Sequence, residues 1–134
     1  MIILGIDPGT QKAGFALIDG AGSERPLRQG VEPLDSLIER IRQLGTEYEI
    51  GAVALGHGTH AGTVAGMLER VGLPVHIVDE RDTTLKARGL YFADHPPRGW
   101  KRLIPLGMQL PPRPVDDYAA LLIARRYLQQ LEKR

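Results

Sequence analysis

The chain has 134 residues, of which 43% are hydrophobic and 25% charged, with no cysteine and a formal net charge of +1. One domain over residues 1–134 is the expectation at this size, and the missing cysteines exclude disulfides, cysteine-ligated zinc, iron–sulfur clusters and thiol nucleophiles. No apolar run approaches the ~18 residues of a membrane span and the N-terminus lacks a signal-peptide layout, so a cytoplasmic protein without a membrane partner is expected.

Met1 to Ile6 is an uninterrupted apolar run closed by the turn signal Asp7-Pro8-Gly9-Thr10, and Ala13 to Ile18 is a second, closed by Asp19-Gly20. Two strands joined by a tight turn are predicted, with a weaker third over residues 27–32. Leu34, Leu37, Ile38, Ile41 and Leu44 recur at the spacing of a helix with one buried stripe, which Gly45 is expected to end. Ile50 to Leu55 reads as a strand buried on both faces, followed by the glycine-rich GHGTHAGT and a helix near Thr63 to Val71. Val75 to Val78 is a short strand running into Asp79-Glu80-Arg81, and Asp82 or Thr83 caps a helix to about Ala93. Six of the ten prolines fall between Pro96 and Pro114, which predicts a long irregular loop. A last helix starts near Asp116, with Leu121, Ala124, Leu128 and Leu131 on one stripe. The order β-β-β-α-β-α-β-α-α predicts an α/β fold: an antiparallel hairpin unit extended by parallel strands, helices on the faces.

Charge is distributed unevenly. Residues 1–80 carry 6 Lys/Arg against 11 Asp/Glu, residues 81–113 carry 7 against 2, and residues 114–134 carry 4 against 3. Folding these segments together sets acidic groups beside a basic surface, as a metal-dependent enzyme acting on a polyanion requires and as ordinary solvated charge also produces. Three acidic positions sit at element ends: Asp7 after the first strand, Asp79-Glu80 after the strand before the basic helix, and Asp116-Asp117 at the start of the last helix. Sites in open α/β sheets gather at the carboxyl ends of strands, so Asp7 and Glu80 are expected to share a rim to which the helix start adds a third carboxylate. Clustered carboxylates call for a cation, and hard oxygen donors select Mg²⁺ or Mn²⁺. Each acid also has an ordinary use: an Asx turn for Asp7, a surface ion pair for Glu80, an N-cap for Asp116.

The residues resemble a known family. GIDPGTQKAGFALID resembles the opening of RuvC-type resolvases and their relatives in the ribonuclease H-like superfamily. VDERDTTLKAR is similar to the DER-x-[ST]-T signature of the YqgF (RuvX) family of pre-16S rRNA nucleases or Holliday-junction-resolvase-like proteins, and VDDYAALLIARRYL resembles that family's terminal pattern. The three motifs in order cover nearly the whole chain. The resemblance implies a ribonuclease H-like fold with a mixed central sheet and helices on both faces. It implies catalytic, metal-binding roles for Asp7, Glu80 and Asp116, with Asp117 as the reserve ligand and Mg²⁺ or Mn²⁺ as the cofactor. Gly9, Thr10 and Lys12 would lie beside the metals, and Arg81, Thr83 and Thr84 would face the phosphate backbone of a bound nucleic acid. Capping for the threonines and a surface ion pair for Arg81 are the alternatives.

The sequence departs from the family at GHGTHAGT, where relatives carry a G-[LF]-P-x-N-x-D-G-T stretch and where RuvC has a catalytic glutamate. His57 and His60 are left as candidates for an accessory ligand, a proton-transfer group or an RNA contact, or as loop histidines without such a role. Trp100 among Arg98, Lys101 and Arg102 suits stacking on an unpaired base with cations on the phosphates, or anchoring of the loop to the core.

A divalent-metal nuclease cutting RNA and/or DNA by a two-metal mechanism in pre-16S rRNA processing is the leading expectation. A Holliday-junction resolvase acting in recombination and repair is the first alternative, and a non-catalytic nucleic-acid-binding module the second. Actin-like phosphate loops also read D-x-G-T, but they need two such domains. Monomer and homodimer both remain open, a symmetric resolvase requiring the dimer.

Overall fold

The computed structural model describes residues 1–21, 25–58, 60–79, 83–99, 103 and 116–132, with backbone alone for residues 83–85. Strands β1 (Ile2–Asp7), β2 (Lys12–Asp19) and β3 (Arg28–Pro33) form an antiparallel meander, while β4 (Ile50–Gly56) and β5 (Val75–Val78) add in parallel on the other side of β1. The sheet order is β3-β2-β1-β4-β5. The mixed five-stranded sheet, its α/β class and the element order agree with the expectation from sequence.

Side chains alternate across the strands because successive Cβ atoms point to opposite faces. Leu4, Ile6, Phe15, Leu17, Val53 and Leu55 bury one face against α1 (Leu34–Glu47) and α2 (Ala61–Leu68). Ile3, Ala16, Ile18, Ala52 and Ala54 bury the other against α4 (Asp116–Glu132). Cover on both faces explains why β1, β2 and β4 read as near-continuous apolar runs. Helix α3 (Thr83–Asp94) packs on α4 through Ala87, Tyr91 and Phe92.

The two faces are packed differently. The α1 face carries mainly Leu, Ile, Val and Phe, whereas the α4 face mixes Ile3 and Ile18 with Gly5, Gly14, Ala16, Ala52 and Ala54, and the α4 backbone comes down onto the strands at the glycines. A Cβ at Gly5 would strike the Ala120 carbonyl oxygen and lie 2.8 Å from Ala124 Cβ. Glycine at position 5 is thus a clearance requirement. At the opposite end of β1, Leu128 lies against Gly20, beside Met1, so α4 runs antiparallel to β1 with its first turn at the Asp7 end.

Three element boundaries differ from the sequence expectation. Helix α1 passes through Gly45 to Glu47. Helical glycine costs roughly 1 kcal/mol, less than burial of Leu37, Ile41 and Leu44 returns at roughly 1.5–3 kcal/mol each, and the Tyr48 N–H closes the end on Leu44 O at 2.9 Å. Helix α2 begins at Ala61 instead of Thr63 because the Ala61 N–H already donates to Gly58 O at 3.1 Å. A 3₁₀ turn, Glu69–Val71, follows α2 and ends in left-handed Gly72. Among the described residues, no helix is long and apolar enough to cross a membrane.

Candidate active site

Strands β1, β4 and β5 run parallel, so their carboxyl ends open on one rim. Asp7 is the last residue of β1 and half-buried there. His57 leaves the end of β4 and is exposed, and its backbone N–H donates to Val78 O at 2.9 Å, tying the β4 exit to the β5 exit. Asp79 follows β5, exposed. On the other side of β1 the chain turns through Pro8 to Gln11, a turn so tight that a Cβ at Gly9 would strike the Lys12 carbonyl. The Gln11 carbonyl accepts the Leu34 N–H at 2.9 Å, which fixes this turn to the start of α1.

The last helix meets the rim through Gly14. In the β1–β2 register Asp7 is opposite Gly14. A Cβ at Gly14 would run into the Asp116 carbonyl and lie 2.8 Å from the Asp117 amide nitrogen. The backbone of Asp116 therefore rests on the strand residue paired with Asp7, although 109 positions separate the two aspartates in the chain. The positive end of the α4 dipole favours carboxylates in this first turn.

The two aspartates of that turn have different surroundings. Asp116 is half-buried, whereas Asp117 is 3% exposed and its Oδ2 accepts a 3.0 Å hydrogen bond from Gln29 Nε2 on β3. The next residue, Tyr118, donates its hydroxyl to Asp94 Oδ2 at 2.8 Å, at the end of α3. The first turn of α4 is thus tied on one side to the sheet and on the other to α3.

The remaining candidates fall as follows. Gly9 is half-buried and Thr10 and Lys12 are exposed, all beside Asp7 at the rim. His60 is half-buried at the N-cap of α2. Arg98 is exposed beyond α3. Thr83 and Thr84 open α3, with backbone alone described. Glu80, Arg81, Trp100, Lys101 and Arg102 lie outside the described residues, as does most of the proline-rich loop. Gly14, Gln29 and Tyr118 were not singled out from sequence. Glycine inside a strand signals close backbone approach, and Gly14 carries that signal; nothing in the sequence marks Gln29, whose partner is 88 residues away.

A cleft of about 280 Å³ lies on the other face, between β3 and α1, but neither Asp7 nor Asp116 lines it. Its charges are already paired, Arg28 with Glu47 at 3.4 Å and Arg40 with Glu32 at 3.2 Å. The rim is the better candidate. Its donors are carboxylate oxygens at a helix start, the set that suits a hard divalent cation. Among the described residues, no three His, Cys, Asp or Glu side chains are grouped to hold a metal ion; the acids described at the rim are Asp7, Asp79 and Asp116, and Glu80, which follows Asp79, lies outside the described residues.

No protein-family model matches the chain. A protein of Pelotomaculum thermopropionicum named "Putative pre-16S rRNA nuclease" is 31% identical over 149 residues, covering 96% of this chain and 86% of its own. Proteins of the same name from Azotobacter vinelandii and Bacillus subtilis are 31% and 29% identical, covering 95% and 98% of this chain and 92% and 99% of their own. Among solved structures, Thermus thermophilus RuvC in complex with a Holliday junction substrate superposes with a TM-score of 0.64 at 19% identity, covering 99% of this chain and 96% of that one. A second Thermus thermophilus RuvC structure gives 0.62 at 18% identity. At such identity the likeness is one of fold, and the fold is RuvC-like, of the ribonuclease H-like class.

Proposed function

This chain belongs to the pre-16S rRNA nuclease family, the YqgF family of the sequence resemblance, and from that premise we propose a divalent-metal-dependent nuclease that hydrolyses phosphodiester bonds of RNA and/or DNA by a two-metal mechanism and acts in pre-16S rRNA processing. That the chain is a nuclease follows from its relatives and its fold. The finer assignments are ours: residues 1–134 act as one nuclease domain, Asp7, Glu80 and Asp116 hold Mg²⁺ or Mn²⁺, and the chain works in the cytoplasm.

The observation that carries this reading is the contact of the Asp116 backbone with Gly14, the register partner of Asp7. It brings two acids from opposite ends of the chain to one rim. Asp116 is preferred over Asp117 as the ligand because Asp117 is buried and bonded to Gln29. When bound, divalent ions supply charge for the scissile phosphate and a lowered pKa for water. The carboxylates hold and orient that charge, and the N-terminal end of α4 offsets their mutual repulsion. Lys12, exposed at the same rim, is assigned to the sugar–phosphate strand with Gly9 and Thr10. Arg81, Thr83, Thr84, Arg98, Trp100, Lys101 and Arg102 are likewise assigned to nucleic-acid binding, while His57 and His60 stay accessory.

The test is incubation with single-stranded RNA, single-stranded DNA, duplex and a four-way junction in Mn²⁺, Mg²⁺ or EDTA, beside an Asp7→Ala variant. Cleavage of single-stranded RNA that needs divalent metal and is lost in the variant is expected. Cleavage indifferent to EDTA would remove the metal mechanism. Preference for the four-way junction would make branched DNA the substrate, and binding without cleavage would indicate a non-catalytic module.

A further inference from the structure

We propose that Gln29 is a positioning residue for the metal site, acting through Asp117 to set the rotation of the first turn of α4 and so the direction in which Asp116 presents its carboxylate. The inference rests on the assignment of Asp116 as a metal ligand.

Consecutive residues on a helix point about 100° apart, so a bond that holds the Asp117 side chain adds to the backbone seating of α4 on Gly5 and Gly14 in setting where its neighbour aims. Asp117 is held: it is 3% exposed, and Gln29 Nε2 donates to its Oδ2 at 3.0 Å from a strand two places away from β1 in the sheet. Gly14 removes the spacer that would otherwise keep the turn off the sheet. The Tyr118 hydroxyl on Asp94 restrains the same turn from the α3 side. With the turn pinned on both flanks, Asp116 stays half-buried at the Asp7 end of the rim. The atom Gln29 directs at this turn is its amide nitrogen, a donor that does not ligate a cation, which separates a positioning role from direct ligation.

The experiment is titration of the full chain with Mn²⁺, followed by the electron paramagnetic resonance signal of the free ion, well below the melting temperature and with folding monitored by circular dichroism. Wild type is compared with Gln29→Met, Gln29→Asn, Asp117→Asn and Asp116→Asn. Gln29→Met keeps length but loses the donor, and is expected to weaken Mn²⁺ binding about tenfold, the lower end of what outer-shell partners are worth. Gln29→Asn, one methylene short, is expected to shift in the same direction and serves where Gln29→Met folds poorly. Asp117→Asn still offers Gln29 a carbonyl acceptor and is expected to lose less than Gln29→Met. Wild-type affinity in both Gln29 variants, with Asp116→Asn weakened, would overturn the positioning role alone. Asp117→Asn losing as much as Asp116→Asn would make Asp117 a ligand and overturn it too. Wild-type affinity in Asp116→Asn would remove the assignment beneath it.

Discussion

Asp7 and Asp116 stand half-buried at a strand end and a helix start whose backbones meet through Gly14. Removing an outer-shell partner of a metal typically costs 10–100-fold, so Asp7→Asn and Asp116→Asn are each expected to lower metal-dependent cleavage at least about 100-fold in a steady-state assay, with unchanged circular dichroism. Tyr118→Phe deletes the hydroxyl that donates to Asp94; a loss of about 1 kcal/mol in urea denaturation is expected. The acids were legible in the sequence because they sit where an apolar run stops or a helix starts, and turn chemistry marks such places. Only the family resemblance ranked Asp116 over Asp117; the residues themselves did not, since adjacent identical residues differ by what their side chains meet in space. Gln29 was invisible for the same reason: a polar residue on a short edge strand looks like any solvated one.

At the scale of elements, α4 depends on glycine as a clearance device. Gly14→Ala puts a methyl group into the Asp116 carbonyl, which is expected to cost about 1–3 kcal/mol in stability and to reduce cleavage more than its stability loss explains, measured by thermal denaturation and assay side by side. Gly45 and Gly66 are different. Both are exposed, inside α1 and α2, with nothing within 4 Å of an added Cβ. Gly45→Ala and Gly66→Ala are each expected to stabilise by roughly 0.5–1 kcal/mol in thermal denaturation without changing cleavage. Gly45 was misread as a helix end because glycine is a stop signal only when no buried stripe carries the helix past it, and Leu44 with its neighbours does so. The strands were legible because burial on both faces writes unbroken apolar runs into β1, β2 and β4.

For the molecule as a whole, a ligand that binds the folded chain alone raises its stability by mass action. Saturating Mn²⁺ is therefore expected to raise the melting temperature of wild type, by the equivalent of about 2.7 kcal/mol at one hundred times the dissociation constant, and to leave Asp7→Asn nearly unmoved in a differential scanning experiment. The strand order was only partly readable: the hairpin follows from a short turn, but the seating of β4 beside β1 comes from a parallel crossover that leaves no local mark. The seam between α4 and the central strands has a longer-term consequence. Residues 5, 120 and 124 share one gap, and 14, 116 and 117 share another, and the atoms facing the two glycines are mainly α4 backbone; a smaller side chain on α4 does not move those atoms away. Descendants of this sequence can therefore admit a side chain at position 5 or 14 only by lifting α4 as a body, which ties the candidate rim to the seating of a helix otherwise free to vary on its outer surface.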